Sequence, residues 1–260
     1  MMDWFFIVLS ASVIWIASLC KILHISYFPT KGQYFNIGDT LHKKAVLLVI
    51  AHPDDESMFF TPTINYLTSR GHNIHILCLS TGNADGMGKI RTDELYKACS
   101  MLKVPLKQVV VLDHPELQDG FGKVWNHTLI AKIVEDNIRS HGIDTVITFD
   151  SYGVSGHCNH RDVHFGIRKV LLDSQQNSFE AWELGSSSVL RKYSGSVDIW
   201  LSIFMAWCLP RRKSFCLLNE HPFMSFQAMA QHASQWVWFR KLFVCFSSYT
   251  YVNTLQRIVL

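Results

Sequence analysis

The chain has 260 residues, 48% of them hydrophobic and 17% charged, and carries a formal net charge of +3. That length suits one sizeable α/β core with an appendage and leaves little room for two full domains. The charge is too mild for a nucleic-acid footprint, and no Lys/Arg stripe interleaved with aromatic residues runs along a helix, so a nucleic-acid partner is excluded.

Residues 4–20 carry no charge, and the apolar run continues past Lys21 through Ile22 and Leu23. At ~1.5 Å per residue this just spans a bilayer core of ~30 Å, with Lys21 snorkelling to the surface. A cleaved signal peptide wants a basic start and a small-residue cleavage pattern. The chain begins Met1-Met2-Asp3 and lacks that pattern, so residues 1–23 read as a transmembrane anchor. Lys21, Lys31, Lys43 and Lys44 follow the span while Asp3 precedes it, which predicts that residues 24–260 lie in the cytoplasm. The glycosylation acceptor Asn126-His127-Thr128 is then expected to stay unmodified. The seven cysteines are an odd, scattered set with no C-x-x-C pair, which fits buried thiols in a reducing compartment. Residues 24–44, with Pro29, Gly32 and Gly38, read as a linker, and 45–260 as a catalytic domain.

The domain opens with Ala45-Val46-Leu47-Leu48-Val49-Ile50, an apolar run expected to be a strand buried on both faces of a parallel sheet. It ends in Ala51-His52-Pro53-Asp54-Asp55-Glu56, where Pro53 breaks the ladder and the ionisable side chains fan out from a turn. Such crowding is costly unless a cation or substrate compensates it, and zinc accepts both imidazole and carboxylate. Asp54 or Asp55, taken alone, is also readable as the N-cap of the next helix.

A helix is predicted from Ser57 to Arg70, closed by Gly71, then a strand over Asn73–Leu79 in which His75 is structural. The polar loop Ser80–Gly88 leads to a helix over Ile90–Leu102. Arg91 in its first turn opposes the helix dipole; it either faces a substrate oxygen or pairs with Glu94 or Glu116. A third strand over Gln108–Leu112, a helix over Trp125–Ser140 ending at Gly142, and a fourth strand over Ile143–Phe149 follow.

This alternation predicts an α/β, Rossmann-like parallel sheet with helices on both faces, in order 3-2-1-4, preceded by one transmembrane helix. Its site lies at the switch point between strands one and four. The fourth strand runs into Asp150 and then His157-Cys158-Asn159-His160 and His164, with Gly153 and Gly156 turning the loop back over the sheet. Facing the Asp-rich turn, these histidines are expected to be ligands and acid/base groups. Beyond them, Ser196–Leu209 reads as a buried or interfacial helix followed by Pro210-Arg211-Arg212-Lys213. Met224–Phe246 reads as a final helix, whose Trp236, Trp238, Phe239 and Phe243 beside Arg240 and Lys241 suit a surface resting on lipid headgroups.

The pairing of Ala51-His52-Pro53-Asp54-Asp55-Glu56 with His157-Cys158-Asn159-His160 resembles the zinc-dependent de-N-acetylases of the PIG-L/LmbE-like family, over roughly residues 45–240. Many bacterial members have Asp where this chain has Asn159. Together with Leu190-Arg191-Lys192-Tyr193, Ser155–His160 looks like the eukaryotic branch. The resemblance implies hydrolysis of the N-acetyl group of N-acetylglucosaminyl-phosphatidylinositol in GPI-anchor synthesis, at the cytoplasmic face of the endoplasmic reticulum membrane. Carried over, it makes His52, Asp55 and His160 the Zn2+ ligands, Asp54 the general base and His157 the electrophilic or acid partner. Amide hydrolysis asks for such a set: a water with its pKa lowered to about 7, a base, and a donor for the developing oxyanion. Glu56 is expected to support the turn and Asp150 to orient an imidazole; His164 is a less favoured ligand, and His232 has no firm role. The alternatives are a de-N-acetylase of a soluble N-acetylglucosamine conjugate and an inactive membrane adaptor.

Overall fold

The computed structural model describes residues 2–27, 43–173, 179–208 and 214–260. Most of the expected linker and the basic stretch 211–213 lie outside the described residues.

Helix α1 (Met2–Tyr27) contains a 19-residue apolar window, Trp4–Ile22, long enough to cross a bilayer and only 11% buried. The body begins with β1 (Ala45–Ile50), whose residues 46–50 are buried as the unbroken apolar run requires. Then come α2 (Asp55–Met58), α3 (Thr61–Ser69), β2 (Asn73–Cys78), α4 (Gly88–Met101), β3 (Val109–Val111), α5 (His127–His141) and β4 (Thr145–Phe149). Next are α6 (Gly153–Gly156), α7 (Cys158–Asp173), β5 (Glu180–Leu184), α8 (Val189–Lys192) and α9 (Asp198–Cys208). The chain closes with β6 (Ser214–Leu218), α10 (Pro222–Gln231), α11 (Trp238–Phe246) and β7 (Val252–Arg257).

The sheet order is β3-β2-β1-β4-β5-β7-β6. Strands β3, β2, β1, β4 and β5 run parallel, so the expected 3-2-1-4 arrangement holds. β7 runs antiparallel to both β5 and β6, extending the sheet beyond the predicted strands. Between β1 and β2, and again between β2 and β3, the chain steps one way; from β3 it crosses back to β4. Right-handed crossovers therefore put α3 and α4 on one face and α5 and α7 on the other. The helix contacts agree: α4 packs on α10, and α5 on α7. The switch point falls between β1 and β4, which pair directly through Val46–Leu48 and Thr145–Ile147.

Two predicted helices are divided and one starts later than expected. Ser57–Arg70 divides into α2 and α3, because Phe59 and Phe60 turn into the core and Pro62 suits the first turn of a new helix. Trp125 lies outside α5: Asn126 is the N-cap, its Oδ1 accepting from Thr128 N–H at 2.9 Å, and buried Trp125 supports the loop instead. Met224–Phe246 divides into α10 and α11 across a turn at His232–Val237.

Candidate metal centre and active site

The turn after β1 is built around its own acid. Asp55 Oδ2 accepts from Ala51 N–H at 3.0 Å and His52 N–H at 2.8 Å, folding the chain back so that His52 and Asp55 share one side. Asp54 pays for this turn with φ 135°, a region that L-residues rarely adopt. Glu56 braces it: its carboxylate accepts from Asp54 N–H at 3.1 Å and Ser57 Oγ at 2.6 Å. At 2.6 Å from Glu56 Oε1 lies His232 Nε2, both side chains wholly buried. Burial opposes a charge on His232, but the neighbouring Glu56 carboxylate prevails and raises its pKa above the ordinary value.

The opposing wall comes from the switch-point strand β4. Gly153 and Gly156 take positive φ, as the loop predicted, and Val154 between them is held at φ 62°. His160, in the first turn of α7, stacks on Phe149 at 4.1 Å and donates from Nδ1 to Gly153 O at 3.0 Å. Its Nε2 then faces Asp55 Oδ1 at 3.2 Å. His52 is held from its other side, Nε2 lying 3.1 Å from both Asn159 Oδ1 and Asp119 Oδ1.

His52, His157 and His160 each place a nitrogen within 4.8 Å of the others'. This arrangement fits a cation. With Nδ1 of His160 donating to a carbonyl, a neutral ring leaves its Nε2 lone pair against a carboxylate oxygen, two acceptors that a cation between them would reconcile. The surroundings favour positive charge. Burial disfavours an imidazolium at His52, yet the hydrogen bond to Asp119 and the charges of Asp55, Asp119 and Asp54 raise its pKa. Asp55, despite burial, is held well below the usual carboxylate range by His160 and His52. His157 behaves oppositely: burial and the charges of His52 and His160 depress it to about 4, so its imidazole is neutral near pH 7. Its Nδ1 accepts from Asn159 N–H at 3.3 Å, which puts the ring proton on Nε2.

The structure thus brings His52, Asp54, Asp55, His157 and His160 together. Arg91 joins them without using Glu94 or Glu116. Its Nη1 donates to Gly82 O at 2.8 Å and Asp119 Oδ2 at 3.2 Å, its Nη2 donates to Pro53 O at 3.0 Å, and Asp54 lies 3.8 Å away. Glu94 instead accepts from Ser234. Two expectations are corrected. Asp150 orients no imidazole: it caps its own turn through Tyr152 and Gly153 N–H and holds Ser186. His164, buried one turn beyond His160, faces Phe149 O and Glu183, away from the cluster, because four residues of helix turn it back toward β4 and β5.

Three residues escaped the sequence reading. Asp119 stands on an irregular loop with no motif around it, and Asn159 in sequence marks only the family branch. Arg240, read as a headgroup residue, reaches inward: its Nη1 donates to Asp54 Oδ2 and, at 2.6 Å, to Gln235 Oε1. Gln235 in turn donates to Pro53 O at 2.9 Å.

The family model of the PIG-L de-N-acetylases matches residues 47–171, the span that holds both walls of the site. A probable N-acetylglucosaminyl-phosphatidylinositol de-N-acetylase of Dictyostelium discoideum is 35% identical over 85% of this chain and 96% of its own length. The chain belongs to the PIG-L family. It is accordingly an enzyme of a de-N-acetylase family. The N-acetylglucosaminyl-phosphatidylinositol de-N-acetylase of Bos taurus is 35% identical, covering 81% of this chain and 82% of that relative. Among solved structures, an N,N'-diacetylchitobiose deacetylase from Pyrococcus horikoshii shares this fold with TM-score 0.58 and 16% identity, over 79% of this chain and 76% of that one.

Proposed function

We propose that this chain hydrolyses the N-acetyl group of N-acetylglucosaminyl-phosphatidylinositol, giving the glucosaminyl lipid and acetate, the second step of GPI-anchor synthesis. What carries the reading is the cluster of His52, His157 and His160 against Asp54 and Asp55 at the switch point, in a chain 35% identical to a relative so named over 96% of its length. The apolar helix α1 suits an enzyme that must meet a lipid-linked sugar, here at the cytoplasmic face of the endoplasmic reticulum with residues 45–260 as the catalytic domain.

His52, Asp55 and His160 would hold a Zn2+ ion. The choice of Asp55 over His157 as third ligand rests on burial and hydrogen bonding: Asp55 is locked between both imidazoles, whereas His157 is half-buried and carries its proton on Nε2. Zinc so held supplies Lewis acidity and lowers the pKa of a water to about 7. Asp54 accepts the proton of the water that attacks the acetyl carbonyl carbon. As the carbonyl oxygen gains negative charge, the neutral His157 donates its Nε2–H to it. The C–N bond then breaks as Asp54 returns its proton to the departing nitrogen, and the second proton of the water, left on the new carboxyl group, passes to the amine, so acetate and the ammonium form of the glucosaminyl lipid are released. Arg91, with a narrow exposed edge, lends its charge to the substrate side while it braces the Asp54 turn.

The test is turnover of the lipid-linked sugar by the full chain and by Asp54→Asn, with bound metal quantified in both. Loss of turnover with metal retained supports the assignment; loss of metal makes Asp54 a ligand and overturns it. Wild type that is inactive on this lipid after reloading with zinc refutes the substrate.

A further inference from the structure

Helix α11 is amphipathic in the wrong sense for a helix facing water. Its inward residues are Arg240, Phe243 and Val244, while Trp238, Phe239, Leu242 and Phe246 lie on one exposed face, Trp238 at 72% exposure. The spacing i, i+1, i+4, i+8 places all four within about a third of the helix circumference. Lys241 flanks this face and stands over Trp236 at 5.6 Å. Large exposed apolar faces bordered by cations mark interaction surfaces rather than free solvent.

The neighbouring helices extend the face. α8 exposes Val189 and Leu190, the latter at 86%, and α9 exposes Phe204 and Met205. Tyr193 meets Phe243 edge-on at 6.2 Å, and Arg191 donates to Asp198 at 2.7 Å, so α8 is tied to both α11 and α9. α9 is tied in turn to the apolar helix α1: Trp200 Nε1 donates to Ser18 Oγ at 2.9 Å, and Ile22 is buried with Ile199, Tyr251 and Val252. The turn at Gly195 sits where α1 and α11 converge. A methyl group there would meet Trp15 Nε1 at 3.2 Å and Phe246 O at 3.5 Å.

We infer that the exposed face of α11, continued by α8 and α9, is a second membrane contact that seats the body on the bilayer surface next to the point where α1 enters it. The occupant is lipid because α9, beside this face, packs on the segment long and apolar enough to span a bilayer, and because Lys241 stands at its edge. The opposite side of the same helix sends Arg240 to Asp54, so docking holds the site about one helix diameter, ~10 Å, from the leaflet surface. A lipid-linked sugar would then reach Asp54 without leaving the membrane. That last step rests on the proposed substrate; the docking does not.

The experiment reconstitutes the full chain in phosphatidylcholine and phosphatidylinositol vesicles whose acyl chains carry bromine near the headgroup, and compares wild type with Trp238→Phe. Docking predicts that the fluorescence attributable to Trp238, the difference between the two, is quenched in brominated but not in ordinary vesicles. Unquenched Trp238 overturns the proposal, as does a shift in oligomeric state in detergent on Leu242→Asp, which makes the face an interface between copies. In the kinetic arm, Leu242→Asp raises KM for the lipid-linked sugar in vesicles by about tenfold or more, the equivalent of one leucine's burial, and leaves turnover of an acyl-free analogue unchanged. Equal loss on both substrates contradicts docking. A quenched Trp238 in a protein inactive on both substrates upholds docking and refutes the substrate alone.

Discussion

Removing the imidazole of His232 tests whether a residue far outside both motifs holds the catalytic turn. His232 Nε2 and Glu56 Oε1 are 2.6 Å apart and wholly buried, so His232→Gln leaves a buried carboxylate without its counter-charge. Breaking such a pair costs ~3–5 kcal/mol. Glu56 keeps Ser57 Oγ and Asp54 N–H as donors, which places the expected cost at the lower end, ~3 kcal/mol. For a chain of this size that is a fall in Tm of about 6–12 °C, read from thermal unfolding of the full chain in detergent. The deficit also depends on pH with a definite sign. The pKa of His232 is raised in the folded state, so its contribution is fully present below the unfolded value of 6.5 and is lost as pH rises through the folded value. The variant should therefore fall furthest behind wild type below pH 6.5 and recover toward it as the pH is raised through the folded pKa of His232. Glu56→Gln combined with His232→Gln removes both charges and should cost less than the sum of the single changes. A His232→Gln protein that melts like wild type at the acid end, or a deficit that does not change with pH, would refute the ion pair.

Other positions give independent checks. Asp119→Asn removes the carboxylate that holds His52 Nε2 at 3.1 Å and should weaken metal affinity ~10–100-fold in a chelator competition, with Tm little changed; unaltered affinity would remove Asp119 from the site. Gly153→Ala puts a methyl group 2.7 Å from His160 Cβ at φ +69° and should lower kcat ~100-fold by displacing that imidazole. Gly156→Ala meets nothing nearer than 3.9 Å and should show only the ~1–2 kcal/mol strain of a left-handed residue, so equal losses of activity in the two variants would contradict the packing argument.

The seven alternating elements predicted from β1 to β4 were legible because each is a local pattern: an apolar run for a strand, a helical period between runs, a glycine at a helix end. The two walls of the site were legible for a related reason. His52, Asp54 and Asp55 are neighbours along the chain, His157 and His160 lie one turn apart, and both groups end strands that the topology rule sets side by side. Local pattern did not reveal β7, whose Asn253, Thr254 and Gln256 give it no clean alternation although Val252, Asn253 and Leu255 are buried.

Only the tertiary structure decided which distant side chains complete the site. His232 meets Glu56 across 176 residues, and Arg240 meets Asp54 across 186. The same is true of α11, where the apolar residues that a periodicity argument would send to the core face outward, while Arg240 turns in. Composition and period report how apolar a segment is and how often it repeats; which of its faces meets the protein depends on what waits on distant elements, here the Asp54 carboxylate at the end of β1 that Arg240 reaches.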